Sequence, residues 1–258
     1  PVQAGRAGRL FIAEKIVDPS ALNMGMTAEN IHDLYPELTR EMADEYSVYC
    51  QQKAKKALDA GYFDDIIVPM TVWSQGGWRV ADRDEQPRPD ATVENMKDLR
   101  LPFRKGGRVT PGNSSGLNDG AAGALLVSGD YVKKLDLKPK MRAVGFAYAG
   151  VKPELMGLGP IPATEKVLER TGMKFEDMDF IELNEAFAVQ CLAFIDKFKM
   201  NGYKDERLNV LGGAIAFGHP LASSGGRLVA HLAKIFELNP DAKYGLTTLC
   251  VGLGMGGA

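Results

Sequence analysis

The sequence predicts an α/β fold, a sheet covered by helices and preceded by a more irregular region. Three observations predict it. Strand-like and helix-like segments alternate beyond residue 118. Residues 106–120 turn rich in Gly, Asn, Ser and Asp, and the chain becomes apolar from Ala121, which places a boundary near residue 118. The length of 258 residues, 45% hydrophobic and 25% charged, is enough for one large or two ordinary domains and excludes a disordered chain.

In the first part, Met42, Tyr46, Tyr49 or Cys50, Ala54 and Ala57 recur at steps of three and four, with Thr39 as N-cap and Gly61 as stop. That predicts an amphipathic helix over residues 40–60. Ile66, Ile67 and Val68 form a short β-branched run ended by Pro69, and the charged, Gly-containing residues 74–88 predict a loop. In the second part, residues 141–148 predict a strand and 162–170 a helix stopped at Gly172. Residues 180–183 predict a second strand, followed at once by a helix with Phe187, Cys191, Phe194 and Phe198 on one face. Residues 208–211 are strand-like and lead into Gly212 and Gly213. A helix bearing Leu228, Leu232 and Ile235 follows, then a last strand over 244–249 that runs into Cys250.

Lys plus Arg number 31 against 33 Asp plus Glu, so no global positive field exists to hold nucleic acid or an anionic membrane. No apolar run approaches the roughly 20 residues that span a bilayer. Three cysteines, Cys50, Cys191 and Cys250, are too few and odd in number for a secreted disulfide framework, and they fit an intracellular protein, in the cytoplasm or an organellar matrix. The opening Pro1-Val2-Gln3, without Met or secretory segment, and the abrupt end at Ala258 read as a piece of a longer protein. Gly252, Gly254 and Gly257 match G-x-G-x-x-G without the helix such a site needs. His32, His219 and His231 lack ligand spacing, so no metal site is expected. Arg104, Lys105 and Arg108 form a small basic cluster that fits a solvated face better than a phosphate site.

Three polar signals fall where strands end: Asn184-Glu185-Ala186-Phe187, Gly218-His219-Pro220 and Cys250-Val251-Gly252-Leu253-Gly254. Singly, each has a structural explanation: a helix cap, a satisfied histidine and a small core residue. Together they place a histidine able to act as base, a thiol able to exchange a proton, and a Gly-rich turn whose backbone can approach a thioester oxygen. That set points to acyl chemistry.

At these residues the sequence resembles the thiolase family, the acetyl-CoA acetyltransferases and 3-ketoacyl-CoA thiolases. The matching stretches are 184–188, 212–220 and 250–254, joined upstream by 24–30, 112–121 and 156–160 in the same order. The resemblance implies a layered thiolase-like fold with a mixed sheet and a loop domain over 1–118, the remainder of the N-terminal half over 119–139 and the C-terminal half over 140–258. It implies acyl transfer between coenzyme A thioesters by Claisen condensation or thiolysis, with acyl-CoA and coenzyme A as substrates, no cofactor, and a homodimer or homotetramer. By the same resemblance His219 activates a nucleophilic cysteine and binds the thioester oxygen, and Cys250 moves the α-proton. Asn184 fixes a water in one oxyanion hole, and the Gly252 N–H donates in a second. Ser115 meets the pantetheine arm, while Met24, Met156 and Phe187 line the acyl and pantetheine pocket; ordinary core is an equal reading of those three.

The sequence also departs from the family. The nucleophilic cysteine has no counterpart, since Cys50 and Cys191 sit on helices. Asn23 stands where many short-chain members carry His, and Ala222 replaces the usual Gly after His-Pro-Leu. A thiolase-like lipid-transfer relative and a non-catalytic acyl-CoA-binding fragment are the alternatives.

Overall fold

The computed structural model describes residues 6–258, so the reading of the first five residues lies outside the described part. The helices are α1 (Arg6–Ala13), α2 (Met24–Leu34), α3 (Arg40–Asp59), α4 (Val93–Lys97), α5 (Gly129–Lys134), α6 (Pro160–Thr171), α7 (Ala188–Lys197), α8 (Ala214–Phe217) and α9 (Ser224–Leu238). The strands are β1 (Met70–Ser74), β2 (Gly77–Ala81), β3 (Tyr148–Gly150), β4 (Phe180–Leu183), β5 (Gly245–Val251) and β6 (Met255–Gly257).

Helix α3 forms where the periodicity places it. Thr39 Oγ1 accepts from the Met42 N–H at 3.2 Å, and Tyr46, Cys50, Ala54 and Ala57 make the buried stripe, which Ala43 begins in place of the exposed Met42. Helix α6 ends as read, on Gly172 in the left-handed conformation at φ 69°. The site is carried by a mixed four-stranded sheet in the order β3-β6-β5-β4, with β4 and β5 parallel and the other pairs antiparallel. Helix α9 packs on β4 and β5, α6 on β3, β5 and β6, and α3 against α7 and α8. Along β5, Leu246, Thr248 and Cys250 alternate onto one buried face.

Four elements differ from the sequence reading. Within the predicted loop 74–88 runs the second arm of the β1–β2 hairpin, whose cross-strand Trp73 and Trp78 rings meet edge-on at 5.4 Å. Both faces of that hairpin are largely open, so period-2 burial left no trace in the sequence. The predicted strand 141–148 pairs only at its end: Ala147 exchanges two backbone bonds with Ala258, and β3 begins at Tyr148. Residues 121–128 likewise form no strand and are exposed, with Leu125 and Leu126 at 86% and 80%. The last strand continues through Cys250 to Val251 and folds back as β6, so Cys250 is inside β5 rather than beyond it.

Residues 208–211 are the fourth difference. They touch β4 through one bridge, Ile181 with Leu208, and then Asn209 turns to φ 44°. Its side chain takes over the ladder: Oδ1 accepts from Leu183 N–H at 2.8 Å and Nδ2 donates to Leu183 C=O at 2.9 Å. An asparagine amide imitates a peptide unit, so the edge of β4 is satisfied without a strand beside it. Asn209→Leu should therefore destabilise the protein by about 3 kcal/mol, since three buried polar groups lose a partner. Urea unfolding checks this; a change under about 0.5 kcal/mol would refute it.

Candidate active site

Strand β4 delivers Asn184 and Glu185 into the interior. Asn184 N–H continues the ladder to Thr248 C=O at 2.9 Å, and helix α7 starts only after Phe187, so Asn184 is not its cap. Glu185 is fully buried and accepts four hydrogen bonds. Tyr46 Oη and Asn209 Nδ2 donate to Oε1, both at 2.7 Å; Cys50 Sγ at 2.9 Å and Ile215 N–H at 3.1 Å donate to Oε2. Four donors fill the acceptor positions of a carboxylate. A Cβ on Gly213 would overlap this carboxylate, so the turn entering α8 requires glycine there.

Helix α8 is a single turn, and His219 follows it. The His219 N–H is held by Gly116 C=O at 3.1 Å and Asn118 Oδ1 at 3.3 Å, which joins the 112–121 segment to the histidine. Nδ1 lies 2.5 Å from Ser224 Oγ, and Nε2 lies 3.4 Å from Asn184 Nδ2. An amide N–H directed at Nε2 makes that nitrogen the acceptor and leaves the ring proton on Nδ1, towards Ser224. Burial, reinforced by the Arg227 charge, lowers the His219 pKa from 6.5 to about 4. The imidazole is neutral at pH 7.

Cys250 is buried on β5, and burial raises its thiol to about 12. It therefore rests protonated. Gly252 opens the three-residue turn between β5 and β6; among the described residues no backbone carbonyl accepts from its N–H, and Met24 Sδ would lie 3.6 Å from a Cβ there. Among the described residues no hydrogen bond joins Cys250 to His219. Burial lifts the Cys50 and Cys191 thiols well above their ordinary value. A nucleophilic thiol needs the opposite shift.

Ser115 donates its backbone N–H to Ala186 C=O at 3.0 Å, beside Asn184, and Phe187 bridges to Ser114. Met156 and Phe187 are core residues by burial, and Met24 is half-buried. Asn23, the departure before Met24, caps α2: its Oδ1 accepts from Gly25 N–H at 3.1 Å. Both arginines of the basic cluster are engaged internally. Arg104 pairs with Asp33 at 2.5 Å, and Arg108 donates its backbone N–H to Glu29 and Nη1 to His32 C=O.

Family models match nearly the whole chain. The model of the thiolase N-terminal domain matches residues 11–130, and that of the thiolase C-terminal domain matches residues 137–258. The chain belongs to the thiolase family. It is 46% identical over 239 residues to the acetyl-CoA acetyltransferase of Syntrophomonas wolfei, covering 92% of the chain and 59% of that relative. The crystal structure of the Bacillus anthracis acetyl-CoA acetyltransferase superposes with a TM-score of 0.87 at 41% identity, over 95% of this chain and 61% of that one. Human mitochondrial 3-ketoacyl-CoA thiolase in complex with CoA gives 0.82 at 37%, over 94% and 59%. The chain thus spans about three-fifths of the length of these thiolases.

Sequence reasoning missed Glu185 as a hub and missed Ser224 and Arg227 altogether. Arg227 did leave a signal, as the lone charge in the first two turns of α9, three residues from Ser224.

Because the folded His219 titrates below its unfolded value of 6.5, the unfolded chain binds the proton more tightly. The stability is complete above pH 6.5 and falls as the pH drops towards 4; His32, also depressed by burial, acts in the same direction. His219→Gln should remove on the order of 3 kcal/mol of this pH dependence. Chemical unfolding at pH 4.5 and 7.5 measures it, and an unchanged slope in the variant would contradict the assignment.

Proposed function

We propose that this chain carries the proton-transfer half of a thiolase, which moves acyl groups between coenzyme A thioesters by Claisen condensation or thiolytic cleavage of 3-ketoacyl-CoA. The observation that carries the reading is the neutral His219 facing Asn184, with Cys250 and the unpartnered Gly252 N–H on the adjoining strand and turn. The homologous acetyl-CoA acetyltransferases and the CoA complex of the human thiolase support the substrate class.

In cleavage, a nucleophilic cysteine of the complete enzyme loses its proton to His219 and attacks the 3-keto carbonyl. The oxyanion formed there is met by the Gly252 N–H. The carbon–carbon bond then breaks, its electrons pass to the thioester enolate, and the enolate oxygen is received by His219, now protonated at Nε2, and by a water held on Asn184. Cys250, resting protonated, returns the proton to the α-carbon, and the acyl group leaves on a second coenzyme A thiol. Condensation runs the same steps backwards. These are proton and acyl transfers between side chains and substrate, which supports a cofactor-free reaction. We assign the nucleophile to residues outside this chain because Cys50 donates to Glu185 and Cys191 is packed in the core. The exposed segments 121–128 and 142–146, which carry Leu125, Leu126, Val144 and Phe146, offer apolar surface for the rest of the N-terminal half and for a homodimer or homotetramer. The bacterial and mitochondrial relatives support the cytoplasm or an organellar matrix as its compartment. No described helix is long and apolar enough to cross a membrane.

In the full-length enzyme, Cys250→Ala should abolish turnover of acetoacetyl-CoA while stoichiometric acylation persists; near-normal turnover would refute the α-proton role. His219→Ala should lower kcat at least about a hundredfold, through loss of base and oxyanion donor together. The 258-residue chain assayed alone should not cleave acetoacetyl-CoA. Specific activity equal to that of the full-length enzyme would return the nucleophile to one of the three cysteines here.

A further inference from the structure

Arg227 is half-buried on the first turn of α9, and its guanidinium reaches both catalytic loops. Nη1 donates to Gly218 C=O at 2.5 Å, the carbonyl immediately before His219, and Nη2 donates to Asn184 Oδ1 at 3.2 Å. An amide whose oxygen is engaged by a cation has its NH2 on the opposite side, and that NH2 is the group 3.4 Å from His219 Nε2. Ser224, one turn earlier on the same helix, holds the other ring nitrogen. One helix thus fixes both edges of the imidazole, one of them through Asn184.

We propose that Arg227 is a positioning residue of the acyl-transfer site: it sets the orientation of the Asn184 amide and the position of the Gly218 peptide, and so presents His219 Nε2 to the reacting groups. This rests on the acyl-transfer reading above. The fork is what the geometry needs, since two acceptors on different loops are bound at once and an ammonium on a flexible stem cannot span them in the same way. The charge has a second effect. It disfavours protonation of His219, adding to burial. The other charged and titratable groups of this corner are His231 on the same helix, Glu182 on β4, Glu185 after it, and Asp84 and Cys50 facing Arg227 from the 82–88 segment and α3. Glu182 is fully buried with neither carboxylate oxygen hydrogen-bonded, and it lies 3.5 Å from His231 Nδ1. It supplies the negative charge that lets a guanidinium sit here.

The test compares Arg227→Gln and Arg227→Lys with wild type in the full-length enzyme. The first readout needs no substrate: the NMR titration of the His219 ring, assigned by its loss in His219→Asn. Wild type should titrate near 4, and Arg227→Gln should move upwards by about one unit, since a neighbouring like charge is removed. Arg227→Lys should stay near the wild-type value because the charge remains. The second readout is kinetic. Both variants should lose kcat by tenfold or more with KM for acetoacetyl-CoA within about twofold, and only Arg227→Gln should carry the acidic limb of its pH profile upwards. An unmoved His219 titration in Arg227→Gln, or full kcat in Arg227→Lys, would overturn the proposal. If Arg227→Gln fails to fold, Arg227→Lys decides by its kcat. A wild-type enzyme without acyl transfer would overturn the functional reading instead, and the NMR titration would still decide for or against Arg227.

Discussion

The site depends on one buried carboxylate. Glu185 gathers donors from three separated parts of the chain: Tyr46 and Cys50 on α3, Asn209 in the loop beside β4, and Ile215 at the start of α8. Burying a carboxylate costs least where hydrogen bonds fill its acceptor positions. Glu185 is also the covalent neighbour of Asn184, and the helix it anchors leads directly to His219. The condition that keeps its charge solvated by protein is therefore the condition that brings Asn184 and His219 to 3.4 Å. The irregular first part is tied to the sheet by the same atoms.

Around that anchor, burial divides the chemistry. It drives the histidine towards its neutral form and the Cys250 thiol towards its protonated form, so each group rests in the state that cleavage uses first. The two thiols held deeper are silenced by the same effect. In the proposed reaction the role of each thiol is set by what surrounds the sulfur more than by the sulfur itself.

The α/β class, helix α3 with its Thr39 cap, the stop at Gly172 and the strand β4 were legible because each rests on a local pattern. The three polar motifs were legible as a group, although only Asn184-Glu185 follows a strand directly: His219 follows helix α8 and Cys250 lies inside β5. What was not legible depended on distant partners. The hairpin at Trp73 and Trp78 has no buried face to impose alternation, and Asn209 replaces a strand through its side chain. Residues 141–146 have the composition of a strand and no partner strand among the described residues. Glu185 reads as one letter of a motif until Tyr46 and Cys50, more than 130 residues away in sequence, are seen to point at it. Arg227 works in the same way, through atoms on two other loops.

The proposed reaction turns on Cys250, on the strand paired with β4, moving the proton at the α-carbon of a coenzyme A thioester. Deuterium incorporation into the acetyl methyl of acetyl-CoA, followed by mass spectrometry with full-length enzyme in heavy water, tests it most directly. The account predicts exchange in wild type and none above background in Cys250→Ala. Exchange at the wild-type rate in that variant would contradict it.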